Sequence, residues 1–280
     1  MFFSPGIALL VFVTIYPLIF SFWISLRDWT LLFPDRDVFI GLGNYIEAFT
    51  SQTTIYTFLR SVYFGILSIA FEVVVGLAIA LVLNQRFRGR GFVRALLILP
   101  WALPDVVNSV LWKWILNGDF GALNGILFQF GLIPDYIPWL SNGVLALHIL
   151  IATNIWRCTP FVALILLAGL QTIPEELYEV SHLDGANFFK RLRYIIVPML
   201  RPTILVILVI RSMDVLRIFG LIYIVTGGGP GGSTKLIGYH IFQTAFKAMR
   251  LGYASAISWI LFLIVVALAI IYFRLLKEDS

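Results

Sequence analysis

Apolar residues run in long blocks along this chain, and polar residues gather in the short connections between them. Six blocks hold about 20 or more mostly apolar residues, enough to cross roughly 30 Å of hydrocarbon as helix: about 5–26, 57–84, 92–116, 144–170, 195–225 and 253–276. The pattern predicts an all-α polytopic membrane protein of six transmembrane helices. It forms a single domain over 1–280, since no connection is long enough for a soluble domain. The first block reads as a span rather than a cleaved leader. It has no basic n-region, exceeds a simple leader core, and ends at Ser25-Leu26-Arg27 without a small-x-small site.

Composition agrees: 60% of residues are hydrophobic and only 12% charged, where a soluble domain carries about a quarter. The net charge of +5 does not point to nucleic acid, because the basic residues sit beside apolar blocks. Arg86, Arg88, Arg90 and Arg94 surround the second connection, Lys190, Arg191, Arg193 and Arg201 the fourth, and Arg274 and Lys277 the tail. The third connection has Asp119 and Asp135 and no basic residue. The first mixes Arg27 and Arg36 with Asp28, Asp35, Asp37 and Glu47, and the fifth carries Lys235, Lys247 and Arg250. This asymmetry predicts cytoplasmic termini and a cytoplasmic fourth connection. Trp29, Tyr136 and Trp139 fit an outer aromatic belt. The single cysteine, Cys158, lies in an apolar block, which excludes an intrachain disulfide and a thiolate metal cluster. His148, His182 and His240 have no partners at ligand spacing, and neither a metal nor a cofactor is expected.

The fourth connection is the most informative polar segment. Thr172 is placed to cap a short helix that begins near Pro174 and Glu175, with Glu175 closing a capping box. Glu179 follows, and Gly185 supplies a turn before the basic patch at Lys190, Arg191 and Arg193. A rigid acidic and basic knob at a membrane surface suits docking to a soluble partner. The string Thr226-Gly227-Gly228-Gly229-Pro230-Gly231-Gly232-Ser233-Thr234-Lys235 is no phosphate loop, because Lys235 follows the Ser-Thr pair instead of preceding it. Its glycines suit a tight re-entrant turn at the outer end of the fifth span. With no other Walker-like sequence, any ATP hydrolysis belongs to another polypeptide.

Glu72, Asp105, Arg157, Arg211, Asp214 and Arg217 fall within spans, each costing about 2.5–3.5 kcal/mol at a helix centre. They must therefore face a pathway, a partner helix or an interface. Arg211 and Asp214 are spaced i, i+3, as are Asp214 and Arg217, so these neighbours can pair. Asp214 either pairs structurally or meets a solute. In the fourth span Asn154, Arg157 and Phe161 share one face, and Pro160 loosens the helix beside them, as Pro104 does in the third.

Several of these strings resemble one family. Glu179, Gly185 and Pro198 match the cytoplasmic coupling loop of ABC importer permeases, with Val180 and Ser181 in place of two alanines. The Thr226–Thr234 string is similar to that of maltose-type sugar permeases. So are Phe39-Ile40-Gly41-Leu42-Gly43-Asn44-Tyr45, Leu99-Pro100-Trp101-Ala102-Leu103-Pro104, Trp112-Lys113-Trp114, Gly121-Ala122-Leu123-Asn124 and Asp214–Tyr223. Arg60-Ser61 departs from the Asn-Thr of many relatives at the start of the second span. The resemblance implies the ABC importer permease fold in a bacterial or archaeal inner membrane. It also implies ATPase coupling through Glu179, Asp184, Gly185 and Ala186, and it aligns Asn154 and Phe161 with the family's sugar-contacting stretch; with the in-span charges Arg157, Asp214 and Arg217 these make the expected substrate pathway. The partners it implies are a second homologous permease, two ATPase subunits, an extracytoplasmic sugar-binding protein, a disaccharide such as trehalose or maltose, and the lipid bilayer. Two alternatives are an ion-coupled secondary transporter and an ABC permease for glycerol phosphate. A membrane enzyme acting on a lipid or glycan would have to rely on Asp28, Asp35 and Asp37, with no base or metal set beside them.

Overall fold

The computed structural model describes residues 4–278 apart from Pro34 and Arg36, so Arg36 and the Lys277 side chain, both counted in the charge asymmetry, lie outside the described residues. Helix α1 (Ser4–Ser25) leads to two antiparallel two-residue strands, β1 (Arg27–Asp28) and β2 (Val38–Phe39), with Arg27 opposite Phe39. Then come α2 (Gly43–Thr50), α3 (Gln52–Asn84), α4 (Arg90–Leu97), α5 (Leu99–Ala102), α6 (Asp105–Ile115), α7 (Ala122–Gln129) and α8 (Gly143–Leu170). The second half holds α9 (Glu175–Leu183), α10 (Phe188–Arg191), a π-helical turn Leu192–Ile196, α11 (Val197–Met199), α12 (Arg201–Leu216) and α13 (Gly220–Val225). It closes with α14 (Ile237–Phe242), a second π-turn Gln243–Lys247 and α15 (Leu251–Glu278).

Among the described residues three helices are long and apolar enough to cross a membrane, Gln52–Asn84, Gly143–Leu170 and Leu251–Tyr272, or up to five if each bent pair is one span. Their outward faces are apolar: Ile66, Val74 and Leu263 are all more than half exposed, which water would not tolerate in such number. Two predicted spans are not continuous. The block 92–116 bends by 89° between Arg90–Ala102 and Asp105–Ile115. Leu103 and Pro104 there are extended, because a residue before proline avoids the helical region and proline has no N–H to give the turn. The block 195–225 bends by 64° between Phe188–Met199 and Arg201–Leu216, and α12 ends at Leu216 rather than running on to 225. Pro160, by contrast, sits inside an unbroken α8, and the Thr159 hydroxyl donates to the Ile155 carbonyl at 2.7 Å one turn back.

The described residues form two compact units, Met1–Ser61 with Leu236–Ala267, and Val62–Lys235 with Leu268–Ser280. The first has a small core of Ala48, Ile237, Tyr253 and Ile257. The buried Asn44 amide ties its hairpin down, donating to the Ser25 and Arg27 carbonyls at 2.9 and 2.8 Å. Arg250 clamps Glu47 with two 2.7 Å bonds. The second unit packs α3, α8 and α12 through Ala80, Leu83, Val162, Leu166, Leu170, Leu200 and Ile207. At Gly169 a Cβ would lie 2.5 Å from Thr203 Oγ1, so only glycine lets α12 approach α8 this closely.

Candidate functional site

The second unit holds an open cavity of about 890 Å³ at the level of the bends. Trp101 on α5, Asp105 and Val110 on α6, Asn154, Arg157 and Cys158 on α8, Arg211 and Asp214 on α12, and Arg217, Phe219 and Tyr223 beyond it line its wall. The bend at Pro104 produces this wall: it turns Asp105 to the N-terminus of α6, where the Arg157 guanidinium meets its carboxylate at 3.0 Å. α13 packs on α6, and a Cβ at Gly220 would collide with Asp105 Oδ2, so this glycine leaves room for the carboxylate.

Behind the wall, Glu72 on α3 is fully buried. Arg211 grips it in a bidentate pair, Nε to Oε2 at 2.7 Å and Nη2 to Oε1 at 3.0 Å. Asn154 Nδ2 donates to the same Oε1 at 3.1 Å. The remaining Arg211 Nη1 reaches Asp214 Oδ2 at 3.1 Å, and Arg217 Nη2 meets Asp214 Oδ1 at 3.2 Å. Both i, i+3 pairs anticipated along α12 are present. Such a network satisfies the charges that burial would otherwise penalise. Asn154, Arg157, Asp214 and Arg217 all line the cavity. Phe161 does not; its ring stacks on Trp101 at 5.0 Å and 11°, and Trp101 presents the face. Sequence reasoning left Glu72 without a partner and did not join Asp105 to Arg157. The signal was there, since a membrane carboxylate demands a cation, but Arg157, Arg211 and Arg217 could each have supplied it.

The second region is the fourth connection. Thr172 does not cap α9: its hydroxyl donates to the Gly169 carbonyl at 2.8 Å and finishes α8 instead. The residue before α9 is Pro174, with no side-chain cap, and no capping box forms. Glu175 reaches Arg86 at 3.3 Å, a pair exposed on both sides and of small energetic weight. The C-terminus is well built. Asp184 closes α9, Gly185 takes φ +67°, the Gly185 N–H donates to the His182 carbonyl at 3.1 Å, and the Ala186 N–H donates to the Ser181 carbonyl at 2.9 Å. This is a Schellman motif, which needs a left-handed residue. Glu175, Tyr178, Glu179 and His182 border a polar cleft of about 660 Å³ with Arg86 and Arg90. Burial pushes the Tyr178 phenol above its ordinary value, against the Arg191 charge, which lowers it. The glycine string closes into a turn in which Gly227, Gly228, Gly231 and Gly232 all have positive φ and the Thr234 hydroxyl donates to the Gly229 carbonyl at 2.7 Å.

Residues 72–277 match the family described as binding-protein-dependent transport system inner membrane components. The chain belongs to this family. As such a component it is a permease subunit of an ABC importer and not an enzyme, and the family implies an assembly with a paired permease, an ATPase and a binding protein. It is 38% identical over 265 residues, 95% of this chain and 88% of the other, to the trehalose/maltose transport system permease protein MalF of Thermococcus litoralis. It is 35% identical over 273 residues, 97% of this chain and 86% of the other, to the trehalose transport system permease protein SugA of Mycobacterium tuberculosis. A crystal structure of a bacterial ABC transporter involved in the import of the acidic polysaccharide alginate shares the fold. Its TM-score is 0.82 at 23% identity, covering 98% of this permease and 93% of that chain.

Proposed function

We propose that this permease carries a sugar, a disaccharide such as trehalose or maltose, along a pathway that includes the 890 Å³ cavity. The observation that carries the reading is the cavity wall. Asp214 and Asn154 can accept from hydroxyls, Arg157 and Arg217 can donate to them, and the Trp101 and Tyr223 rings can cover the C–H face of a pyranose. Phe161 acts on this pathway through Trp101. Identity of 38% over 95% of the chain to a permease named for trehalose and maltose supports that solute class.

On this reading residues 1–280 form one permease domain with six spans, two of them bent, in a bacterial or archaeal inner membrane with both termini cytoplasmic. The partner is a second, similar permease, with two ATPase subunits below and an extracytoplasmic sugar-binding protein above. Glu179, Asp184, Gly185 and Ala186 dock into the ATPase, whose closure tilts the spans and alternates access. The exposed acidic face of α9 and its rigid glycine end support that role. Family membership favours an ATP-driven importer over an ion-coupled secondary transporter.

Gentle purification is expected to bring an ATPase subunit with the chain. In proteoliposomes ATP-dependent uptake is expected for trehalose or maltose above sucrose or glycerol phosphate; uptake without ATP overturns the reading. Asp214→Asn is expected to spare assembly and weaken transport about tenfold, the low end for one charge-assisted hydrogen bond at a half-exposed carboxylate. Unchanged kinetics with lower thermal stability would make Asp214 purely structural.

A further inference from the structure

Three guanidiniums reach the cavity, and each is matched by a carboxylate. Arg157 meets Asp105 at 3.0 Å, Arg217 meets Asp214 at 3.2 Å, and Arg211 meets Glu72 at 2.7 Å. Two of these carboxylates stand in the wall. The third does not: Glu72 is fully buried behind Arg211 and does not line the cavity at all. Among the described lining residues there are three arginines and two aspartates, so the wall taken alone carries an excess positive charge. Glu72 cancels it. A lone guanidinium in a poorly hydrated wall would be a trap for phosphate or carboxylate, because it offers a fork of donors matched to their geometry. Here the Arg211 fork is spent on Glu72, with Nε and Nη2 both committed, and its last nitrogen is spent on Asp214.

We infer that Glu72, with Asp105, sets the charge selectivity of this permease. The two carboxylates neutralise Arg211 and Arg157, so the wall offers donors and acceptors to hydroxyls without a net field, and uncharged solutes pass where phosphate-bearing ones gain no hold. The inference rests on the reading of the cavity as a solute pathway. It makes Glu72 a positioning and charge-balancing residue that never touches solute. The same carboxylate also orients Asn154, because its Nδ2 donates to Glu72 while its Oδ1 accepts from the Cys158 thiol at 3.8 Å.

The test uses the complete transporter in proteoliposomes, with the sugar-binding protein outside and ATP inside. Uptake of labelled disaccharide is measured with glucose 6-phosphate or glucose present on both sides. Wild type is expected to respond equally to both. Glu72→Gln and Asp105→Asn each leave one guanidinium uncompensated. Each is expected to make glucose 6-phosphate inhibit at a concentration on the order of tenfold lower than in wild type, with the response to glucose unmoved. Tenfold is the conservative figure: one unit charge about 10 Å from a phosphate of about −2, at an effective dielectric near 20, gives on the order of 100-fold before salt screening reduces it. Glu72→Gln combined with Arg211→Gln removes both charges and is expected to return wild-type insensitivity. A merely structural role would lower the melting temperature without separating the two sugars, and that result overturns the inference. If Glu72→Gln does not assemble, Asp105→Asn decides, because its side chain is 40% exposed at the wall and its loss leaves no buried charge. Wild type without ATP-dependent sugar uptake would sink the transport reading itself; uptake with no anion discrimination in either variant sinks only this inference.

Discussion

Replacing Gly185 isolates a backbone effect at the end of α9. Gly185 holds φ +67°, and no atom lies within 4 Å of where its Cβ would stand. A substitution there meets open space, so the cost is conformational and not steric. For alanine the left-handed region costs about 1–2 kcal/mol. Valine, branched at Cβ, is a stronger outlier there. It can escape only by giving up the bonds from Gly185 to His182 and from Ala186 to Ser181, each contributing about 0.5–1.5 kcal/mol. Asparagine visits the left-handed region readily and should behave almost as glycine. A change of 1–2 kcal/mol shifts the balance between a formed and a frayed helix end by about 5–30-fold. If α9 transmits ATPase closure, sugar moved per ATP hydrolysed should fall in the order Gly, Asn, Ala, Val, with Gly and Asn nearly equal. The assay is the coupling ratio in proteoliposomes, with size-exclusion profiles to show intact assembly. A valine variant at the wild-type ratio would refute the reasoning. So would an asparagine variant as poor as valine, since the penalty would then lie in the side chain.

Three further outcomes are expected. Gly252→Ala drives a Cβ into the Arg27 carbonyl and within 3.1 Å of Asn44 Nδ2, so it should destabilise the first unit by about 1–3 kcal/mol; an unchanged melting temperature argues against that packing. The Glu47 carboxyl is held below its ordinary value by the hydrogen bond from Arg250, against the opposing effect of burial. With the folded value below the unfolded one, its stabilisation is full above the unfolded value and is lost as pH falls through the folded one. Melting of wild type should thus decline more steeply on acidification than melting of Glu47→Gln, and parallel declines would count against the pair. With Cys158 replaced by alanine, an impermeant maleimide added outside should label Ala122→Cys but not Leu183→Cys, both of which are exposed; the reverse pattern would overturn the orientation. Ser233 is a poor reporter because its Oγ is buried against Gly143.

Much of the fourth connection was legible in the chain. Gly185 announced a turn, and the turn is there, because a left-handed helix end has few residues to choose from. The start of that helix differs from the expectation. α8 ends at Leu170, as its apolar block does, and the Thr172 hydroxyl turns back to the Gly169 carbonyl of that helix instead of forward to α9. Pro104 and Pro160 look alike in sequence, yet one breaks its span by 89° and the other sits in unbroken helix. Pro104 falls where α6 turns to pack beneath α13, whereas Pro160 is embedded in the core that α8 shares with α3 and α12.

The sequence by itself determined whatever depends on near neighbours: apolar blocks of spanning length, the pairs Arg211–Asp214 and Asp214–Arg217, and the glycine-ended helix. Helix pitch and the allowed regions of φ make these independent of the rest of the chain. Only the tertiary structure decided that Arg211 belongs to Glu72, 139 residues away, that Arg250 belongs to Glu47, 203 residues away, and that Asp105 meets Arg157 across the bend. Each carboxylate had several arginines to choose from, and all satisfy the same electrostatic demand. What selects among them is which helix faces pack together, and that follows from the summed shape of apolar side chains and the small residues between them, a property that no single stretch of sequence carries.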